Sequence, residues 1–392
     1  MKRRKRQRKK HRTTLKMTLA GWGFLLLSLL VGLAAMRTTR EMPMMFILFG
    51  VMLGGMVISL VISRGMVMKI NVHRELPARA WQYETLYFGY FLRNTRRRGA
   101  SLGLTLQEIA PLGVEDSRGY CVHLPGGSVF RAGSRLTAAR RGRIDLKGIC
   151  LATCFPFGLA IVKRQISQPA SLVVWPGKGI IKTDLLHHGA VVSSSDRPSR
   201  LQGGQDEFFG LRDYRTGDNP RWIHWRRSAG REAPIVREMT HPVPDVLLLL
   251  LDVRLDESEP LTEWLRERLL RFAATVIDHA MGRGYQVGMA LAGTGEMKFL
   301  APKSGVGTRC DLLDALADVR DPITITIEQL ILRLPLVSLR NAQVLLISST
   351  REQIDPNRLM QLASASRHLR ILGANELDAV FEDNPLAWEE NV

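Results

Sequence analysis

Two uncharged apolar runs early in the chain constrain its fold more than any other feature. Met17–Met36 carries no charged residue, and after Arg37, Arg40 and Glu41 a second run extends from Met42 to Ser63. A helix crosses the roughly 30 Å hydrocarbon core of a bilayer with about 20 apolar residues. Both runs reach that length, and the short polar break between them predicts a transmembrane helix hairpin over 17–63. A cleaved signal peptide is disfavoured, because the first run is too long and the second follows directly. Gly50 and Gly54 have the small-xxx-small spacing that lets helices approach closely, within the hairpin or between copies.

Charge orients this hairpin. Ten Lys or Arg residues and no acid lie in 1–16, out of a net charge of +18, which leaves +8 for the other 376 residues. A pI near 10.3 invites a nucleic-acid reading, but the location of the charge decides its meaning. A basic segment directly before the first apolar run reads as a topology signal that keeps 1–16 in the cytoplasm. Two crossings then return the chain to that side at Arg64 and Lys69. A nucleic-acid arm and attraction to acidic lipid are the competing readings. The basic patches lack associated aromatic stacking platforms, so no nucleic-acid partner is expected. The far end is acidic: no Lys or Arg follows Arg370, and Glu376, Asp378, Glu382, Asp383, Glu389 and Glu390 make 376–392 an acidic tail. The mean hydropathy of −0.03 averages an apolar hairpin with a polar body.

By length, 392 residues allow two or three units. Cys121, Cys150, Cys154 and Cys310 are too few and too irregular for a disulfide framework. Cys150 and Cys154 have no second Cys or His pair at zinc-ligand spacing, so buried reduced thiols are expected. The stretch 70–200 reads as a β-rich, sandwich-like domain. Ser101–Leu106, Ile144–Leu151 and Leu172–Trp175 have strand character, and Pro125–Gly126 and Pro176–Gly177 mark turns. Arg96–Arg98 and the group Arg140, Arg141 and Arg143 read as basic clusters near the membrane, either a solvated face beside anionic headgroups or a binding surface.

The densest stretch lies within 201–240, at Gly204–Arg231. Phe208, Phe209, Tyr214, Trp222 and Trp225 alternate there with Asp206, Glu207, Arg212, Asp213, Asp218, Arg221, His224, Arg226 and Arg227. Such mixing predicts a mutually satisfied ion-pair network under an aromatic layer, structural or partner-binding. Gly217–Asp218–Asn219–Pro220 is a strong turn signal. Asp218, His224 and Ser228 supply an acid, a base and a nucleophile, but triad members usually converge from separate elements. No hydrolase elbow or nucleotide loop accompanies them.

This run resembles the defining motif of domain-of-unknown-function family 58. The matching positions are Gly204, Glu207, Phe208, Gly210, Leu211, Arg212, Tyr214, Gly217, Asp218, Arg221, Ile223, Trp225, Ser228 and Ala229. Upstream, Phe155–Leu159 and Leu172–Pro176 are similar to family elements, and the helix pair fits the family layout, so the resemblance covers most of the chain. It implies an inner-membrane protein with cytoplasmic soluble domains and no enzymatic activity. It also implies a MoxR-type AAA+ ATPase as partner, and a transglutaminase-like membrane protein as a further one. The interaction signature is then Glu207, Arg212, Tyr214, Asp218, Arg221, His224 and Trp225.

From 241 to 375 the pattern alternates. Val246–Leu251, Gln286–Leu291, Val344–Ser348 and Arg370–Leu372 read as strands. Leu261–Met281, Asp311–Val319 and Arg358–His368 read as helices. Unbroken apolar strands alternating with amphipathic helices predict a doubly wound α/β domain. The family resembles von Willebrand factor A domains here, which often hold Mg²⁺ through D-x-S-x-S, a Thr and a later Asp. Asp252 stands at the first position, Arg254 and Asp256 replace the two Ser, Thr308 is the matching Thr, and Ser348–Ser349–Thr350 lacks the Asp. A cation at Arg254 would repel a metal and pair with Asp252 or Asp256. The expectation is therefore no cofactor, an ion-paired remnant, and a protein that binds rather than catalyses. The alternative is a metal-dependent binding module or hydrolase centred on Asp252 and Thr308.

Overall fold

The computed structural model describes residues 12–37, 43–111, 114–116, 118–183, 185–186, 207–231, 233–240, 245–254, 262–292, 297–319, 325–335, 339, 342–348 and 354–385. It divides into two compact units. The first is Met1–Lys178 with Leu313–Val319 and Asn384–Val392; the second is Gly179–Leu312 with Arg320–Asp383.

The first unit begins with strand β1 (Arg12–Met17), at the end of the basic run. It leads through Thr18 into α1 (Leu19–Arg37), and α2 (Pro43–Met68) leads into β2 (Ile70–Glu75). The remaining strands are β3 (Arg79–Trp81), β4 (Thr85–Asn94), β5 (Ser101–Glu108), β6 (Val114–Asp116), β7 (Gly119–Leu124), β8 (Val129–Ala138), β9 (Gly142–Thr153) and β10 (Ala160–Trp175). They form two sheets, one ordered β1-β10-β9-β5-β7 with β3 beside β10, the other β2-β4-β8-β6. Period-two burial puts Leu104 and Leu106 of β5 and Leu136 and Ala138 of β8 inward, as the pleat requires. One core cluster joins the sheets, with Leu104, Leu106, Ile149, Leu151 and Leu172 from the first and Tyr90, Leu92 and Leu136 from the second. Buried among them, Glu108 accepts from Arg74 and, at 3.0 Å, from the Tyr90 hydroxyl. A buried carboxylate needs such partners, since desolvating it alone is very costly. In β10 the register shifts between Ser167 and Ala170, around Pro169, which has no N–H to donate.

The two helices are long and apolar enough to span a bilayer. Only 22% of the apolar window of α1 and 6% of that of α2 is buried within the protein. A helix in the core of a globular domain would be mostly covered. Their close approach is at Gly32, where a Cβ would come within 2.9 Å of the Phe49 ring. Nothing lies within 4 Å of the Cβ positions of Gly50 and Gly54, so the small-residue spacing is not the hairpin contact.

Both helix ends are fastened to the β module. Arg164, buried on β10, donates to the carbonyls of Val67, Met68 and Ile70 at 3.0, 2.8 and 3.0 Å. Arg96 donates to the Gly65 carbonyl. These cations complete C-terminal carbonyls of α2, which have no helical N–H partner, and Arg164 also takes the first carbonyl of β2. Of the two basic clusters, only Arg96–Arg98 is therefore at the helices. Arg143 pairs with Val173, toward the opposite end of β10 from Ala160. Its guanidinium forks onto Asp318 at 2.9 Å, and Arg141 donates to the Val319 carbonyl at 2.9 Å, within the same unit. Arg141 and Arg143 of that cluster therefore contact the chain itself, at the end of β10 away from the helices. Among the cysteines, Cys121 is buried, Cys150 and Cys310 are half-buried and Cys154 is exposed, so the expected buried thiols hold only in part. Burial pushes the thiols of Cys121 and Cys150 up.

The second unit opens with β11 (Ile180–Ile181), then the antiparallel hairpin of β12 (Glu207–Asp213) and β13 (Ile235–Thr240), with the short helix α3 (Trp225–Ser228) between. Its main sheet uses β14 (Val246–Asp252), β15 (Gln286–Ala292), β16 (Met297–Lys303), β17 (Ala342–Ser348) and β18 (His368–Gly373), in the order β16-β15-β14-β17-β18. All neighbours are parallel except β15 and β16, so this is a mixed α/β sheet. The helices are α4 (Thr262–Gly282), α6 (Ile327–Arg333), α7 (Pro356–Ala365) and the first part of α5 (Val306–Ala317), whose residues from Leu313 onward belong to the first unit. Leu247–Leu251 is buried throughout, as a central strand covered on both faces must be. The acidic tail contributes β19 (Phe381–Glu382), which pairs with β11. Asp383, whose side chain is 1% exposed, takes a forked ion pair from Arg271 of α4 at 2.6 Å.

Candidate functional site

The signature stretch folds as the β12–β13 hairpin and the turns between its strands. Gly217 adopts φ +107°, which favours glycine, and sets Asp218 at the centre of the turn. The Asp218 carboxylate accepts from Arg212 Nη1 and Nη2 at 2.6 and 2.7 Å and from the Arg215 amide at 2.8 Å. The Arg212 fork, then the Arg215 N–H, lowers the Asp218 carboxyl to a pKa of about 2. Asn219 Oδ1 accepts from the Arg221 amide at 3.1 Å and starts a short turn, Pro220–Trp222, with Pro in its favoured first position. His224 Nδ1 accepts from the Arg227 amide and caps α3. Ser228 Oγ donates to the His224 carbonyl at 3.0 Å and accepts from the Ile235 amide at 2.9 Å. The Tyr214 amide donates to Pro234 at 2.7 Å.

Of the seven signature positions, Arg212 and Asp218 are thus brought into direct contact. Tyr214 and His224 hold the turn to β13, since the His224 amide also donates to Ile235 at 2.7 Å. Arg221 and Trp225 face solvent, Trp225 with 69% of its surface exposed. The backbone of Glu207 pairs with Thr240; its side chain lies outside the described residues. The three groups of a conceivable triad have other partners: Asp218 holds Arg212, His224 caps its own helix, and Ser228 bonds to backbone. No relay from carboxylate through imidazole to hydroxyl is formed.

The second polar centre is at the carboxyl end of β14, where sites in such sheets form. Asp252 is fully buried. Its Oδ1 accepts from Arg254 Nε at 2.9 Å, and its Oδ2 accepts from Arg254 Nη2 at 3.2 Å and from Ser348 Oγ at 3.0 Å. The bond to Asp252 holds the Arg254 guanidinium above its ordinary pKa. Ser348 had no assigned role in the motif; it comes to Asp252 because the β14–β17 register sets the two side by side. Thr308 lies in the first turn of α5 and bonds to the Ser304 carbonyl at 3.3 Å. Asp256 lies outside the described residues. Among the described residues, no three His, Cys, Asp or Glu side chains gather as metal ligands. Mg²⁺ requires accessible hard oxygens, and both Asp252 oxygens already accept from a cation. The described residues at Asp252 do not fit a metal.

A family model described as "Protein of unknown function DUF58" matches residues 210–376. This span holds the hairpin from Gly210 onward and the whole mixed sheet. No curated protein matches the chain. Among solved structures, the CARDB domain of a Pyrococcus furiosus protein is 8% identical, with a TM-score of 0.18, over 27% of this chain and 94% of that one. A FixG-related protein from Vibrio parahaemolyticus is 10% identical, with a TM-score of 0.19, over 27% and 94%. The sporulation control protein Spo0M from Bacillus subtilis is 11% identical, with a TM-score of 0.17, over 27% and 48%.

Proposed function

We propose that this chain, whose residues 210–376 are a DUF58 region, is a membrane-anchored interaction protein and not an enzyme. One observation carries the reading. Arg212 and Asp218 neutralise each other inside the hairpin, and what the turn offers outward is the exposed indole of Trp225 beside the exposed Arg221, Arg226 and Arg227. An exposed Trp among arginines has the composition of an interface centre, where Trp and Arg contribute most binding energy. The partner proposed is a MoxR-type AAA+ ATPase, which the family resemblance implies, with a transglutaminase-like membrane protein as a second. The work is assembly or maturation of membrane or envelope complexes.

The α/β region is proposed as von Willebrand factor A-like. In sequence order its strands lie 3-2-1-4-5, with the third antiparallel and an Asp ending the first, and this arrangement supports the assignment. The hairpin helices are taken to cross the bacterial inner membrane, with both soluble units in the cytoplasm. The metal-dependent alternative at Asp252 and Thr308 has less support, because Arg254 already occupies the carboxylate.

Affinity capture of the detergent-solubilised chain tests this reading. A Trp225→Ala, Arg226→Ala variant should melt like the wild type yet lose the ATPase that the wild type recovers. Equal recovery by both, or no ATPase from either, would overturn the proposal.

A further inference from the structure

The turn between β9 and β10 lies against both membrane helices. Its backbone curls so that the Gly158 amide donates to the Cys154 carbonyl at 2.8 Å. Thr18 caps α1 by accepting from the Gly21 amide at 3.0 Å. The same hydroxyl contacts the Gly158 carbonyl at 2.7 Å and the Leu159 carbonyl at 3.0 Å. Ser63 of α2 donates to the Phe155 carbonyl. Gly21 must be glycine for α1 to come this close, since a Cβ there would sit 1.9 Å from the Leu159 oxygen. The turn is thereby fixed beside the first turn of α1 and beside Ser63 of α2.

The position of Ser63 sets the depth of the turn. It ends the uncharged run of α2, and the next residue, Arg64, is exposed. The 20 residues Met44–Ser63 rise about 30 Å at 1.5 Å per residue, which is the hydrocarbon thickness. A turn bonded to Ser63 is therefore level with the boundary between acyl chains and headgroups. At that level Phe157 exposes 63% of its surface, and Trp22, one turn into α1, exposes 60%. Trp concentrates at this depth in membrane proteins, and an exposed Phe there can bury its ring at the acyl boundary, as on an interfacial helix. Exposed Lys16, Arg64, Arg97 and Arg98 flank the same ends of the helices. Cations there attract anionic headgroups.

We propose that the Cys154–Leu159 turn is a third membrane contact, with Phe157 seated in the interfacial zone of an anionic bilayer between the two helix ends. This rests on the helices spanning the membrane. The contact would hold the β module against the bilayer surface, so that the module does not pivot on its two connections.

The test uses the full chain with its four native cysteines replaced by Ala. Single cysteines are placed at Phe157→Cys, Trp22→Cys or Tyr87→Cys and labelled with an environment-sensitive dye. Tyr87 is 75% exposed. It lies seven residues along β4 from Asn94, the partner of Ile70 where α2 enters the sheet, hence about 24 Å away at 3.4 Å per residue. The protein is placed in nanodiscs of phosphatidylcholine and phosphatidylglycerol. Phe157 is largely exposed, so its replacement removes little packing. The Phe157 label should be quenched by shallow nitroxide lipid as strongly as the Trp22 label and be shielded from aqueous iodide, whereas the Tyr87 label should show the reverse. If the Trp22 label is lipid-quenched while the Phe157 label behaves like the Tyr87 label, the turn is not a membrane contact. If the Trp22 label is itself open to iodide, the spanning reading fails and this inference with it.

Discussion

Asp218 shows how one residue organises the signature. Its carboxylate neutralises Arg212, closes the turn through the Arg215 amide, and stays ionised down to about pH 2. Because its folded pKa lies below the ordinary value of 3.8, the ionised form stabilises the fold, in full above that value, and the contribution fades as pH falls through about 2. Asp218→Asn should therefore lower the thermal midpoint at neutral pH, and its deficit against the wild type should shrink between about pH 4 and pH 2. A deficit independent of pH across that window would mean that shape, and not charge, is what the site needs. Spacing alone predicted mutual satisfaction here. Which acid takes which base was not legible, because Asp206, Glu207, Asp213 and Asp218 all lie within reach of several arginines along the chain.

At the scale of elements, Arg164 does for α2 what a capping residue usually does. Desolvation lowers its pKa, yet a guanidinium remains charged at any physiological pH. It serves three carbonyls at once, so Arg164→Leu should cost on the order of 3 kcal/mol, from the acceptors left buried without a donor. Urea unfolding in detergent measures it, and a loss no larger than that of an exposed Arg control would disprove the capping role. No local pattern announces this residue, since it sits on a strand 96 positions from the helix end it completes. Strands β14 and β17 were legible, because burial on both faces leaves an unbroken apolar run. The antiparallel β16 escaped notice, and α6 with it. As an edge strand β16 carries Lys298, Pro302 and Lys303, the features that protect a sheet edge and erase the strand signal.

At the scale of the whole molecule, the pairing of β1 with β10 decides what the helix hairpin can do. Thr14 lies opposite Lys163, and α2 runs directly into β2 of the same unit. Both ends of the hairpin are therefore on the side of the β module. Opposed residues on antiparallel strands have Cα atoms about 4.5–5.5 Å apart, within disulfide range. A Thr14→Cys, Lys163→Cys variant should crosslink on oxidation in intact membranes. Failure to crosslink, with the residue-14 thiol reactive from the other face of the membrane, would overturn a two-pass arrangement. The acidic tail shows the same effect of distance. In sequence it is only an acidic tail, yet its Asp383 is buried on Arg271 from 112 residues away.

The sequence by itself determined the apolar hairpin, its basic flank, the β-rich middle, the buried parallel strands and the family signature. Each depends on hydrophobicity, charge or spacing within a short window, and such windows are read locally. Tertiary structure alone decided that β1 joins the sheet, that Arg164 caps α2, that Ser348 meets Asp252 and that the Cys154–Leu159 turn lies at the helix ends. Those outcomes follow from strand register and from packing between residues about a hundred or more positions apart. Many pairings satisfy the same local pattern, and the choice among them falls to long-range packing and to the pairing of buried polar groups.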